Sequence, residues 1–312
     1  MSPSSRLAVM YRVIEAMRIA QSVRAAVELG VFHRLEAPTA PAVLAEAVGV
    51  APDRLQPLLD ALESLELVGQ EAGRYRSRIP GAAAERILHL RDVRAGLYGE
   101  PAWQAHTPSG ASAEYPEVVD ALSAMVREPA AAVAAHLAEP GLRVLEIGAG
   151  ACGWSLALAA ASPGATVVAN DLPGVIERSR QAVAAAGMSE RYRFVTGDAF
   201  AIELGDRCFD RVLVPMVLHL FDEPRAEALV HRAAACVAPG GQLAVVDLFA
   251  RDDRPSLGAS LYTLELRCRT AAGRVHRADR VRRWMEAAGL VVRAPWGTGT
   301  VPEIGVVAGG RT

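Results

Sequence analysis

The chain has 312 residues, which at about 100–200 residues per domain suggests two domains. Its composition is 51% hydrophobic and 22% charged, so there is enough apolar surface for a core and disorder is not expected. The formal net charge of −2 gives no general attraction to nucleic acid or to an anionic membrane. No lysine occurs, which excludes a lysine Schiff base, a lysine general base and a P-loop lysine.

The four cysteines are widely separated and form no CxxC pair, which argues against a zinc knuckle or a dithiol redox site. The beginning of the sequence lacks the apolar segment of a signal peptide, and no stretch of about 18 uncharged apolar residues follows. We therefore expect a reduced, cytoplasmic, soluble protein without membrane contact.

The N-terminal part predicts two helices and a hairpin. Residues 6–30 carry apolar side chains at helical spacing, a second helix is predicted over 52–67, and a polar hairpin over 68–78. This order is the outline of a winged helix. The charged residues of the second helix are mostly acidic, so a phosphate backbone would repel it, and DNA binding is disfavoured. A homodimerisation or substrate-lid role is favoured instead, because the apolar helix faces need a partner surface.

The C-terminal part, from residue 141, alternates short apolar runs with helical stretches. This pattern predicts a Rossmann-like α/β fold with a doubly wound, mostly parallel sheet of seven strands. We divide the chain into a helical dimerisation domain (1–100), a helical connector lining the substrate pocket (101–140) and a cofactor-binding domain (141–312). The predicted strands are Arg143–Ile147, Thr166–Asn170, Tyr192–Thr196, Arg211–Pro215, Gln242–Asp247, Val291–Ala294 and Ile304–Ala308.

The first of these strands ends in a glycine turn. Gly148, Gly150 and Gly153 satisfy the dinucleotide pattern G-x-G-x-x-G, with an acidic residue, Asp171, about 20 residues on. Glu146 precedes the first glycine, however, and its carboxylate is unfavourable beside a pyrophosphate. A carboxylate suits a ligand with ammonium and sulfonium groups, namely S-adenosylmethionine, and Asp171 suits the ribose of either cofactor. A nicotinamide dehydrogenase remains the alternative.

With these motifs the chain resembles the class I S-adenosylmethionine-dependent methyltransferases, in particular small-molecule O-methyltransferases with an N-terminal dimerisation domain. The resemblance covers nearly the whole chain and implies a homodimer that modifies phenols or polyketides. The segments that carry it are residues 144–150, 170–175, 197–200, 217–221 and 238–241.

The resemblance also implies roles for individual residues. Gly148 and Gly150 let the backbone approach the methionine moiety, supported by Glu146. Ribose binding falls to Asp171, and the remaining cofactor contacts are with the adenine: Leu172, Asp198, Ala199 and Phe200. One departure is Cys152, which stands where the family usually has a third glycine, so we expect a slightly altered turn.

His219 is the candidate general base. A neutral hydroxyl attacks a sulfonium methyl group poorly, and an imidazole titrates near working pH. The O-methyltransferases that the chain resembles place their base at this strand end, although they often continue with Asp-Trp where this chain has Leu220-Phe221. The alternative is that His219 only lines the pocket.

His276 raises a second possibility. It follows a glycine turn that begins at Gly273, at the same edge of the predicted sheet, and with His219 it could hold a metal that binds an α-keto acid. Metal-assisted C-methylation is therefore the alternative within the same fold. The other reading is that His276 is an exposed loop residue and that the protein uses no metal.

The predicted activity is methyl transfer from S-adenosylmethionine to a hydroxyl of a small aromatic or polyketide-like acceptor, in specialised metabolism. A homologue that keeps the cofactor without methylating remains open. The acceptor pocket is predicted to be lined by Trp103, His106, Met125, Met216 and Tyr262.

Overall fold

A computed structural model describes residues 3–85, 108–250, 257–267, 270, 272–300 and 304–312. The chain divides into two compact units, Met1–Leu90 with Asp120–Ala124, and Arg91–Val119 with Met125–Thr312. The predicted boundaries at 100 and 140 stay predictions. Trp103 and His106 lie outside the described residues.

The first unit is helical with one small hairpin. Its elements are α1 (Pro3–Glu28), α2 (Val31–Arg34), α3 (Pro41–Val48), α4 (Pro52–Ser64), β1 (Val68–Glu71), β2 (Arg74–Ser77) and α5 (Gly81–Glu85). Helix α4 buries Leu55, Leu59 and Leu62 on one face, as their spacing predicts. Strands β1 and β2 pair antiparallel. The two predicted helices correspond to α1 and α4 and the hairpin follows them as predicted, whereas α2 and α3 are additional.

The second unit alternates strands and helices. Its elements are α6 (Pro108–Leu137, which runs through both units), β3 (Arg143–Ile147), α7 (Gly153–Ala161), β4 (Thr166–Asp171), α8 (Pro173–Ala185), β5 (Tyr192–Thr196), β6 (Phe209–Pro215), α9 (Glu223–Ala235), β7 (Val237–Asp247), α10 (Leu257–Arg267), α11 (Ala278–Ala287), β8 (Val291–Val292), β9 (Trp296–Gly297) and β10 (Gly305–Gly310). Single 3₁₀ turns cover Ser189–Arg191 and Leu218–Leu220.

The strand order is β5-β4-β3-β6-β7-β10-β8, and β9 also pairs with β10. Strands β3 to β7 run parallel to one another and β10 is antiparallel to its neighbours. The prediction of a mostly parallel sheet is confirmed. The two-residue strand β9 and the helix α10 were not predicted. The strand order reverses at β3, because β4 lies on one side of it and β6 on the other. In open α/β sheets, ligands bind at the carboxyl ends of the strands where the order reverses.

The sheet is covered on both faces, as β7 illustrates. Leu243 and Val245 join the apolar cluster formed with α9 and α11, whereas Ala244 and Val246 join the cluster formed with α6 and α7. This two-sided burial explains why the strands are continuous apolar runs. None of the helices in the described residues has the length and apolarity needed to cross a membrane.

Candidate active site at the carboxyl ends of the strands

The turn between β3 and α7 is built from left-handed backbone. Gly148 has φ 72°, Gly150 has φ 53°, and Cys152 adopts φ 59° just before α7 begins. A Cβ atom on Gly148 would collide with Cγ2 of Val217, so only glycine fits there. The buried Cys152 takes the left-handed conformation that glycine would adopt more easily, and the predicted alteration of the turn stays a prediction.

Asp171 ties the glycine turn to the next strand. Its Oδ2 accepts a hydrogen bond from the Gly150 N–H at 2.7 Å, and its Oδ1 accepts one from the Leu172 N–H at 2.7 Å. Burial raises the pKa of Asp171 to about 6, although both N–H groups act in the opposite direction. The carboxylate therefore stands beside the turn, where the ribose contact is predicted.

Asn170 is a site residue that the sequence analysis did not assign. Its side-chain Nδ2 donates to the carbonyls of Val195 and Gly197, each at 3.0 Å. Its own carbonyl accepts from the N–H groups of Gly148 and Ala149. Asn170 thus joins the ends of β3, β4 and β5. Its position directly before Asp171 could have indicated this role from the sequence.

Glu146 is fully buried, and among the described residues neither of its carboxylate oxygens has a hydrogen-bond partner of good geometry. Burial raises its pKa to about 8, against the opposing influence of the hydroxyl and N–H of Ser155. A buried carboxyl without a counter-charge is costly unless a cation reaches it. This orphaned acid fits a cationic ligand and disfavours a diphosphate, so the residues here suit S-adenosylmethionine better than a dinucleotide.

The loop after β5 presents the predicted adenine contacts. Asp198 is exposed, and its Oδ1 accepts from the Phe200 N–H at 2.9 Å. The guanidinium of Arg225 lies 4.3 Å from the centre of the Phe200 ring, and the rings of Phe200 and Phe221 are nearly perpendicular with centroids 5.2 Å apart. The carbonyl of Ala199 accepts from Arg232. One face of the Phe200 ring is thus occupied by Arg225, a contact that the sequence did not indicate.

His219 lies on the turn after β6 and only 3% of it is exposed. Its Nδ1 is 2.7 Å from Oδ1 of Asp247, the last residue of β7, and its Nε2 is 3.0 Å from Oη of Tyr262 on α10. Because a carboxylate only accepts, Nδ1 carries the proton in the neutral imidazole, and Nε2 is left with the lone pair. The sequence analysis did not assign Asp247 to the site, although its position at the end of the strand that follows β6 could have indicated it.

His276 is buried and faces main chain rather than solvent. Its Nε2 donates to the carbonyl of Leu218 at 3.1 Å, and the Arg274 N–H donates to the carbonyl of His219 at 2.8 Å. Burial lowers the pKa of His276, which favours its neutral form. The expectation of an exposed loop histidine was therefore wrong.

The same hydrogen bonds bear on the metal alternative. Both nitrogens of His219 and the Nε2 of His276 are already engaged in hydrogen bonds, and no group of three or more candidate ligands occurs within the described ranges. His276 uses its Nε2 to hold the turn that carries His219, and its Nδ1 is buried without a hydrogen-bond partner among the described residues.

Two other predicted pocket residues lie just after β6 and on α6. Met216 is half-buried with φ 54°, directly before the turn that carries His219, and its N–H donates to the carbonyl of Val246. Met125 is exposed on α6. Of the five predicted pocket residues, the structure places Tyr262 in direct contact with His219.

Comparison with known proteins gives matches along both units. Residues 144–241 match a methyltransferase domain, and residues 11–79 match an O-methyltransferase dimerisation domain. The 3-hydroxy-5-methyl-1-naphthoate 3-O-methyltransferase of Streptomyces sahachiroi is 27% identical over 86% of this chain and 85% of its own. The aclacinomycin 10-hydroxylase of Streptomyces purpurascens is 30% identical over 65% of this chain and 54% of its own.

The fold matches human N-acetylserotonin methyltransferase, whose crystal structure holds S-adenosylmethionine. The TM-score is 0.74 at 22% identity, over 100% of this chain and 98% of the other. The two domain matches follow one another in the order that the sequence analysis predicted. This chain belongs to the family of S-adenosylmethionine-dependent O-methyltransferases.

Proposed function

We propose that this protein transfers a methyl group from S-adenosylmethionine to a hydroxyl of a small aromatic or polyketide-like acceptor in specialised metabolism. The naphthoate substrate named for the Streptomyces sahachiroi relative supports this acceptor class. The observation that carries the chemistry is the contact between Nδ1 of His219 and the buried Asp247, which leaves the Nε2 of His219 as a base. When bound, S-adenosylmethionine supplies an electrophilic methyl group and leaves as S-adenosylhomocysteine.

The residues at the three strand ends would hold the cofactor. We assign the glycine turn and Glu146 to the methionine moiety, Asp171 to the ribose, and the segment 198–200 with Leu172 to the adenine. The orphaned carboxyl of Glu146 and the exposed carboxylate of Asp198 support this assignment. In the same proposal, Asp247 orients the imidazole of His219 and stabilises the imidazolium that forms when His219 takes the proton.

The test is turnover of hydroxynaphthoates with S-adenosylmethionine, followed by mass spectrometry of the methyl ether and of S-adenosylhomocysteine. We expect His219→Ala to lower kcat by about 10²–10⁴-fold, since that is what a positioned base contributes, while calorimetry shows an unchanged affinity for S-adenosylmethionine. Asp247→Asn should lower kcat too, because an amide nitrogen at Nδ1 favours the wrong tautomer. An unchanged kcat in His219→Ala would remove the base from the mechanism.

One relative supports a second candidate, a protein that keeps the cofactor but does not methylate. The aclacinomycin 10-hydroxylase is more similar in sequence, over a shorter stretch, than the naphthoate enzyme. A product that gains oxygen instead of a methyl group, with no S-adenosylhomocysteine formed, would favour this candidate. Metal-assisted C-methylation is the weaker alternative, because three of the four imidazole nitrogens of His219 and His276 already have hydrogen-bond partners.

We also propose a cytoplasmic homodimer formed through the N-terminal unit. The match to a dimerisation domain over residues 11–79 supports the assembly. An apolar face of α1 supports it too, because large apolar residues at helical spacing are exposed there: Met10, Val13, Ile14 and Met17.

A further inference from the structure

We infer that Tyr262 is a catalytic residue: its phenol receives the proton of the acceptor hydroxyl and passes its own proton to His219. This inference rests on the proposed function, because it concerns the same base. It starts from the 3.0 Å contact between Oη of Tyr262 and Nε2 of His219. That contact occupies the one nitrogen that Asp247 leaves as an acceptor, so in the resting state the phenol O–H donates to Nε2.

Tyr262 lies between Nε2 of His219 and an incoming acceptor. Only 3% of His219 is exposed, whereas Tyr262 is half-buried and therefore reachable from outside. The two rings meet edge to face, with centroids 5.1 Å apart and planes at 70°. An acceptor that approached Nε2 directly would have to break this hydrogen bond and push the tyrosine ring aside, so the phenol is the more accessible end of the pair.

The tyrosine is held in place by its helix. Leu266 follows Tyr262 by one helical turn on α10 and is completely buried, which anchors that face of the helix. The hydroxyl of Thr263 donates to the carbonyl of Ala259 at 2.8 Å, within the same helix. Tyr262 thus occupies a defined position against the imidazole.

The proton balance of the relay is complete. The acceptor O–H bond breaks, its proton moves to Oη of Tyr262, and the phenol proton moves to Nε2 of His219. The acceptor oxygen uses the freed electron pair for the new O–CH₃ bond, while the electrons of the C–S bond stay with sulfur. The resulting imidazolium is stabilised by the carboxylate of Asp247, which has its own hydrogen bonds from the N–H groups of His219 and Leu248.

The first test compares Tyr262→Phe with wild type on a series of phenols of one scaffold whose hydroxyl pKa is lowered by electron-withdrawing substituents. We expect Tyr262→Phe to lower kcat by about 10²–10⁴-fold for the least acidic phenol. The loss should shrink as the phenol becomes more acidic, because a phenolate needs no base. Tyr75→Phe is the matched control: it removes a phenol that accepts from Gln56 in the first unit, and should leave kcat unchanged.

The second test is the double variant Tyr262→Phe/His219→Ala. Two groups in one relay act as a unit, so the double variant should lose no more kcat than His219→Ala alone. Losses that multiply would overturn the relay, and so would a Tyr262→Phe enzyme with unchanged or higher kcat, which would mean that the tyrosine merely covers the base.

A readout without turnover separates this inference from the proposed function. The ¹⁵N signal of Nε2 in labelled His219 should shift in Tyr262→Phe and stay in place in Tyr75→Phe, since hydrogen bonding at a lone pair changes its shielding. An unchanged ¹⁵N signal would overturn the resting contact itself. If the signal shifts but wild type methylates no phenol, the proposed function fails; if wild type methylates and Tyr262→Phe is equally fast, only the relay fails.

Discussion

Among individual residues, Glu146 is unusual because its ionisable carboxyl is buried without a hydrogen-bond partner among the described residues. Glu146 follows two buried apolar residues of β3, Val144 and Leu145, and its own carboxyl is equally buried. A strand in such a position would be more stable with an amide or an apolar residue, because burial without a partner disfavours the carboxylate. The cost is understandable if the carboxylate becomes paired only when a cationic ligand binds, which gives the residue a function that stability alone does not require.

Glu146→Gln should therefore stabilise the ligand-free protein while weakening S-adenosylmethionine binding. The pKa of Glu146 rises from an ordinary 4.5 to about 8 on folding. Below pH 4.5 the acid is neutral in both states and costs nothing. As the pH rises towards 8 the unfolded chain ionises first, so the stability that this group contributes is lost, and above pH 8 the loss is complete. At pH 9 the variant should be more stable by on the order of a few kcal/mol.

Thermal unfolding of wild type and Glu146→Gln at pH 5, 7 and 9 checks this sign. The difference in Tm should be smallest at pH 5 and largest at pH 9, and calorimetry at pH 7 should show weaker binding of S-adenosylmethionine by the variant. A Tm difference that does not depend on pH would mean that the carboxyl is ionised and satisfied in the folded protein.

At the scale of the element, the turn between β3 and α7 combines two separate constraints on Gly148. Its φ of 72° disfavours any side chain, and the methyl groups of Val217 fill the space where a Cβ would be. Backbone strain of this kind costs about 1–2 kcal/mol, and the collision adds to it. Gly49 at the end of α3 has a similar φ of 67° with nothing within 4 Å, so it carries the first constraint alone.

Gly148→Ala should thus lower the free energy of unfolding by more than Gly49→Ala does, as measured by urea denaturation. The double variant Gly148→Ala/Val217→Ala should recover part of the difference, because it removes the methyl groups that the new Cβ meets. Equal losses in the two single variants would show that Val217 moves away freely and that the turn has no steric requirement beyond its backbone conformation.

The elements of the second unit show what a sequence can predict. The bounds of β3 and β5 agree with the predicted ranges, because parallel strands buried on both faces are continuous apolar runs. The contact of His219 with Asp247 and Tyr262 could not be predicted in this way, since it depends on register and side-chain direction across three separate elements. For the same reason, the hydrogen bond from His276 to the carbonyl of Leu218 could not be predicted from the sequence.

At the scale of the whole molecule, the first unit has an apolar core and an apolar surface. The core is formed around Phe32, Leu44 and Leu59, all buried. By contrast, α1 exposes 56% of Met10 and 58% of Met17, which are two helical turns apart on one face. An exposed apolar face on a domain that matches a dimerisation domain is what an interface between two copies of this chain requires.

Met10→Glu/Met17→Glu should therefore convert a dimer into a monomer, because two carboxylates placed in an isologous interface face their own copies and lose hydration. Light scattering after size exclusion measures the mass directly, and circular dichroism shows whether α1 keeps its helix. Arg12→Glu is the control, since it places a carboxylate at an exposed position on the opposite side of the same helix. A double variant that keeps the mass of wild type would place the dimer contact elsewhere, and a wild type that is monomeric at micromolar concentration would exclude the assembly.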